Sequence, residues 1–378
     1  MSHSPVSPSS AGTWVHCNGM VNMIKDIPNT KSDSSIEGDT AHWLASEMIM
    51  TALSSDPATG MIGITAPTGH IVDKEMFDYV APYVQDVLTV VGMDHRDLVH
   101  VEESIQIPRI HAQAHGTPDC WYYDDVNRIV YIWDLKYGWG IVEVYRNWQM
   151  MMYAIGVVDA ITDSDGHQEQ SIHVNMRLAQ PRPHHEDGPI REWGMPASEL
   201  RPYANQLESA ARQAMDGTGK LCSGEHCKYC LARPTCPADR YAAMNALDVA
   251  EMQPCHEVLN HDYELDMLER AKNIINQRYD AQVEYVTQLI KNGTPVSGRS
   301  LKPTPGRGST WIKPVEEIIS LGQIFNIGLE KPTAILTPNQ AIKAGIPKEM
   351  VAGYSQRKPS GLKLVKDDLR KIQEDFKK

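Results

Sequence analysis

IVYIWDLKYG, residues 129–138, is an apolar run that ends in an acid and a lysine two positions apart. Strand side chains repeat with period two, so Asp134 and Lys136 share one side of the strand this run predicts. Just upstream, CWYYDD (120–125) reads as a neighbouring strand, and Asp119 enters it after the turn Gly116-Thr117-Pro118. One hairpin of the two runs would bring Asp119 beside Asp134, with Lys136 next to both. Two converging carboxylates repel unless a cation lies between them, and hard oxygen donors suit magnesium or manganese. A lysine held there would steer or help deprotonate an attacking water and offset charge developing on a phosphate. That is the donor set of metal-assisted phosphodiester hydrolysis, although a lone D-x-K at a strand end is more often a plain ion pair.

Outward from this hairpin the period of the apolar residues changes. EGDTAHWLASEMIMTAL (37–53) has helical spacing with Asp39 or Thr40 as the cap, and DKEMFDYVAPYVQDVLTVV (73–91) reads as a second helix. LVHVEESIQIPRI (98–110) is extended, YRNWQMMMYAIGVVDAI (145–161) is helical, QSIHVNMRLA (170–179) is a strand, and PASELRPYANQLESAARQAM (196–215) is a helix. QPRPHHEDGP (180–189) is a loop. The pattern predicts an α/β fold in which a central mixed sheet is flanked by helices.

Composition sets the frame around that core. The chain has 378 residues, is 42% hydrophobic and carries a net charge of −12. From Thr294 onward there are 15 Lys and Arg against 8 Asp and Glu, or +7, which leaves −19 for the first 293 residues. The expected organisation is a disordered tail (1–13), a core with a cysteine segment (14–250), a long helical connector (251–293) and a basic, smaller α+β C-terminal domain (294–378). Helices of that last domain are expected near TPNQAIKAG (337–345) and LVKDDLRKIQEDF (364–376). No run approaches the roughly 18 apolar residues of a membrane helix, and the N-terminus lacks the pattern of a signal peptide. The expectation is a cytoplasmic protein with no membrane partner.

Three further residues sit at telling positions. Gln149 and Tyr153 are four apart on the helix after the D-x-K, hence on one face, and His42 lies in the first long helix. Taken singly, each is more often a core or surface residue. The ordered set His42, Asp119, Asp134-Leu135-Lys136, Gln149-x-x-x-Tyr153 resembles the PD-(D/E)xK nuclease superfamily, in the RecB-like branch that includes CRISPR-associated exonucleases. The resemblance implies a restriction-endonuclease-like core. It places metal ions on His42, Asp119, Asp134 and the Leu135 carbonyl, and assigns catalysis to Asp119, Asp134, Lys136, Gln149 and Tyr153. The family often has Glu where this chain has Asp134. Glu102 and Glu103 are candidates for an extra ligand, and spacing does not choose between them.

Seven cysteines, an odd number, argue against a disulfide framework in a cytosolic chain and for a metal. Cys227, Cys230 and Cys236 form C-x-x-C-x5-C, three thiols that need a fourth donor. Cys222 is a local candidate, and zinc is the rival metal; Cys120 and Cys255 read as ordinary cysteines, and His184, His185 and His226 as loop residues. In the family that this set resembles, one cysteine ahead of the histidine helix joins three such thiols in a 4Fe-4S iron-sulfur cluster, which puts Cys17 with Cys227, Cys230 and Cys236. Closing a loop of about two hundred residues in this way restricts the unfolded chain.

A phage-type subgroup of uncharacterised function is similar over most of residues 13 to 366, in AGTWVHCNGM, GEHCKYCLARPTC, VSGRSLKP, ILTPNQAIKAG and KPSGLKLV. What this implies is a magnesium- or manganese-dependent deoxyribonuclease, an exonuclease acting in phage DNA recombination, replication or processing inside the bacterial host. DNA is the implied partner, with a phage recombination protein or helicase beside it, and the basic C-terminal domain would meet the DNA backbone. The alternative is a catalytically silent or partner-dependent DNA-binding protein that keeps the fold. Trp121, Trp139 and Trp148 lie near the site in sequence, where core packing is the commoner use of each.

Overall fold

In the computed structural model, residues 4–28, 32–53, 58–92, 95–165, 171–251, 261–305, 310–331, 334–356 and 359–366 are described. The chain divides into two units, residues 1–278 and 279–378. The first contains β1 (Val99–Val101), β2 (Ile105–Gln106), β3 (His115–Gly116), β4 (Cys120–Asp124), β5 (Ile129–Leu135), β6 (His173–Ala179) and β7 (Ile190–Pro196). Its helices are α1 (Ala11–Trp14), α2 (Met20–Ile24), α3 (Asp33–Leu53), α4 (Lys74–Val91), α5 (Trp148–Asp165), α6 (Arg201–Met215), α7 (Pro237–Glu251) and most of α8 (His261–Lys291).

The sheet has five strands in the order β1-β4-β5-β6-β7. Every neighbouring pair is antiparallel except β5 and β6. A parallel pair needs a crossover, and α5 supplies it. Alternation along β5 then sorts the layers: Val130 and Ile132, with Val174, Met176 and Leu178 of β6, pack under α1, α2, α5 and α6. Trp133 and Leu135, with Cys120 and Tyr122 of β4, pack under α3 and α4. The expected α/β core, a mixed sheet between helical layers, is what forms. Arg177 of β6 clamps α4 to this sheet through two bonds to Asp86, at 2.8 and 2.9 Å.

Several elements differ from expectation. β7 was not legible, because Gly194 and Pro196 read as turn residues; it is an edge strand, where both are tolerated. α3 starts at Asp33, ahead of both expected caps, and Thr40 is a buried mid-helix residue whose hydroxyl bonds Ile36 O at 2.8 Å. Residues 4–13 are not a disordered tail. Val6 and Ala11 are fully buried, Ser4 Oγ donates to Gln113 O at 2.7 Å, and Trp14 Nε1 donates to Ser7 O at 2.9 Å. Serines and prolines give this stretch the composition of a disordered tail, but the interspersed apolar residues seat in the core. The expected connector becomes α8; residues 252–260, with Cys255, lie outside the described set. No helix among the described residues is long and apolar enough to cross a membrane.

The second unit is α+β. β8 (Arg299–Pro305) pairs antiparallel with the strand Pro359–Lys366. A small core gathers Ile318, Leu329, Ala341, Ile346 and Val351. The helix expected near 337–345 forms at Pro338–Lys343, closed by a capping box of Thr337 and Gln340. Of the helix expected at 364–376, Leu364–Lys366 belong to the strand Pro359–Lys366 and the rest lies outside the described residues.

The seating of residues 4–10 is directly testable. A Cβ on Gly116 would stand 2.6 Å from the Pro8 ring. Gly116→Ala therefore displaces this segment and costs about 1–3 kcal/mol. Urea unfolding should shift accordingly and proteolysis near Ser7–Ser10 should accelerate; unchanged values for both would mean that the segment is not packed.

Candidate functional site

Strand register builds the site. Cys120 pairs with Trp133 across β4 and β5, and with Val101 across β1 and β4. One further step along each ladder sets Asp119 beside Asp134 and Glu102 beside Asp119. Three carboxylates thus follow one another across three adjacent strands, on one side of the sheet. The Glu102 amide donates to Asp119 O at 3.1 Å. Its φ of 51° is left-handed, unusual for a residue other than glycine, and marks the point where β1 ends.

Asp134 is 1% exposed and anchors a closed network. Its Oδ1 accepts from Gln149 Nε2 at 2.8 Å, and Lys136 Nζ donates to Gln149 Oε1 at 2.9 Å. Asp134 Oδ2 has no well-directed hydrogen bond, only the ion pair to Lys136 Nζ at 2.8 Å. The Lys136 amide is pinned by Ala179 O at 2.8 Å. Burial pushes the Asp134 carboxyl above its ordinary range; the Lys136 charge opposes that shift and the Asp119 charge adds to it. Burial alone would lower the Lys136 ammonium, but Asp134 and then Asp119 hold it above its usual value.

Asp119 is gripped from two sides: His42 Nδ1 stands 3.1 Å from Oδ1, and the Leu135 amide donates to Oδ2 at 2.6 Å. Burial would raise this carboxyl, but His42 above all, then Lys136, holds it low. Burial likewise opposes the charged His42, yet Asp119 raises it to about 9. Glu102 is pushed up to about 7 by partial burial and by Asp119, against the pull of His42. Ligand atoms of His42, Glu102 and Asp119 lie within 4.8 Å of one another. Glu103 turns away to His100 Nδ1 at 2.7 Å.

This donor set fits a divalent cation. It offers hard oxygens and one imidazole, and the repulsion between Asp119 and Asp134 is what a cation there would relieve. The sequence left the choice between Glu102 and Glu103 open, and the signal it lacked was the β1–β4 register. Tyr153 is buried, and its hydroxyl donates to Thr117 O at 3.0 Å, bracing the turn ahead of Asp119. His42, Glu102, Asp119, Asp134, Lys136, Gln149 and Tyr153 line one open cavity of about 890 Å³, walled on another side by Ser4, Ser7 and Ser9.

A second donor cluster joins the N-terminus to the segment after α6. The Cys222 amide donates to Cys17 Sγ at 3.4 Å, and Gly19 N bonds Lys220 O at 3.1 Å. Donor atoms of Cys17, Cys222 and His226 lie within 4.8 Å of one another, so Cys222 and His226, read from sequence as a rival ligand and a loop residue, both enter the group. Burial first, then neighbouring thiols, raises Cys222 to about 11; burial likewise raises Cys230 to about 11, with charge on Cys227, Cys17 and Cys236 adding. Thiols that repel one another as thiolates suit a metal or an iron-sulfur cluster. Cys120, in contrast, is an ordinary core residue of β4.

Two solved structures are similar to this chain at low identity. One, from Eubacterium rectale and provisionally described as an exonuclease, is 10% identical with a TM-score of 0.35, covering 68% of this chain and 92% of that one. The other, named SSO0001, is 11% identical with a TM-score of 0.25, covering 58% of this chain and 95% of that one. Residues 3–323 match the model of the family described as "Protein of unknown function (DUF2800)", and the chain belongs to that family.

Proposed function

We propose that this protein is a metal-dependent deoxyribonuclease, an exonuclease hydrolysing DNA phosphodiesters in phage recombination, replication or processing. One observation carries the chemistry: the closed Asp134–Lys136–Gln149 network meets a row of carboxylates and His42 on the floor of one open cavity. The phage setting rests on the sequence resemblance.

His42, Asp119, Asp134 and the Leu135 carbonyl would hold the magnesium or manganese, with Glu102 as a further ligand. A divalent cation there supplies Lewis acidity toward a phosphate oxygen. The protein's own groups do the positioning. Asp134 and Gln149 fix the Lys136 ammonium, which steers the attacking water and faces the charge that builds on the phosphate. Tyr153 keeps the Asp119 turn in place through Thr117. On the second cluster, Cys17, Cys227, Cys230 and Cys236 would hold a 4Fe-4S cluster, with zinc on Cys17, Cys222 and His226 as the competing assignment.

Three measurements test this reading. Pure protein with manganese or magnesium should degrade linear DNA; EDTA should abolish the activity, and Lys136→Ala should lower the rate by about a hundredfold or more. A folded parent that is inert in both metals yet binds DNA would leave a partner-dependent binding protein instead. Glu102→Gln should raise the manganese concentration needed for half-maximal activity, whereas Glu103→Gln should not; equal effects would remove Glu102 from the site. Protein purified without oxygen should be brown with visible absorption that Cys17→Ser removes, and a colourless protein with stoichiometric zinc would decide for the other metal.

A further inference from the structure

Beyond Leu135 the chain leaves β5 and, past Lys136, enters a loop, residues 138–147, that is firmly held yet turns apolar side chains outward. Gln180, buried, donates to Gly140 O at 2.6 Å and accepts from Val142 N at 3.1 Å and from Arg191 Nη2 at 2.7 Å. A buried amide bonded on both sides leaves the loop little freedom. On this base Trp139 is 61% exposed, with the Arg182 guanidinium 4.9 Å from its ring. Trp121, by comparison, is half-buried and stacks on His100 with ring centroids 3.7 Å apart.

A second ring arrives from the cysteine segment. Tyr229 is 79% exposed, and Lys228 Nζ lies 5.2 Å from its centroid. The Tyr229 hydroxyl and the Lys228 ammonium stand 3.5 and 3.7 Å from where a Cβ on Gly140 would be. Trp139 adjoins Gly140 along the chain and Tyr229 meets it across space, each ring accompanied by a cation, and Trp139 is three residues along the chain from Lys136. Exposed rings interleaved with cations are what unpaired bases and their phosphates require. A duplex keeps its bases stacked inside and offers these rings nothing.

We propose that Trp139 and Tyr229 form a platform on which unpaired bases of a single-stranded nucleic acid stack beside the acidic site, with Lys228 on the backbone. This deepens the nuclease reading and rests on it for the identity of the ligand.

The test is binding of a 5′-labelled oligothymidylate and of a matched duplex, followed by fluorescence anisotropy in calcium, for the parent, Trp139→Ala, Tyr229→Ala, Trp139→Phe and Tyr229→Phe. Each alanine variant should weaken single-strand binding about tenfold, phenylalanine should largely restore it, and duplex binding should stay within twofold. Melting temperatures within about 2 °C of the parent would show that the fold is kept. Unchanged single-strand affinity in folded alanine variants, an equal loss for duplex, or no oligonucleotide binding by the parent would each overturn the platform, the last leaving a protein as the occupant. DNA hydrolysis without any alanine effect on binding sinks the platform alone; the binding pattern without hydrolysis keeps the platform and sinks the nuclease.

Discussion

The charge of Asp134, buried at the end of a central strand beside Asp119, is the constraint that the rest of the first unit answers. An ion removed from water costs several kcal/mol unless it is paired and hydrogen-bonded. Two carboxylates in adjacent register add their mutual repulsion. The fold meets this with groups from three places: Lys136 from just past the end of the same strand, Gln149 from the crossover helix α5, and His42 from α3 on the other layer. The parallel β5–β6 pairing is therefore part of the chemistry, because it is what requires a helix to start directly after the D-x-K loop.

The row of acids also explains why the two layers differ in character. α5 is buried nearly all round, with Met150, Met151, Met152 and Ile155 all fully enclosed, so it behaves as a rigid post for Gln149. The α3–α4 layer holds its helices against the sheet through Trp133, Leu135 and the Asp86–Arg177 clamp. His42 can then reach Asp119 from a helix whose position is fixed independently.

Much of this was legible in the sequence. Period-two runs marked β4, β5 and β6, and one hairpin was enough to foresee Asp119 meeting Asp134. What escaped reading depended on pairings that sequence does not report. Glu102 joins the acids only because β1 lies against β4 in one register, and Glu103, its neighbour, faces elsewhere. Residues 4–13 have the composition of a disordered tail, yet Val6 and Ala11 find a core assembled from elements far along the chain. Trp139 resembled a core tryptophan because nothing local reveals that Gln180, some forty residues on, props its loop outward.

The contact between Cys17 and the Cys222 amide joins residues 205 apart. The same N-terminal region supplies Ser4, Ser7 and Ser9 to the wall of the acidic cavity. During synthesis, at about 5–20 residues per second, the anchor of that region on Cys222 can form only once the segment around Cys222 has left the ribosome, roughly ten to forty seconds after Cys17 was made. The N-terminal wall is therefore secured late in translation, and a truncated chain that stops short of Cys222 would carry its acids and lysine with Ser4 and Pro8 seated on residues 113–116 but without that second anchor.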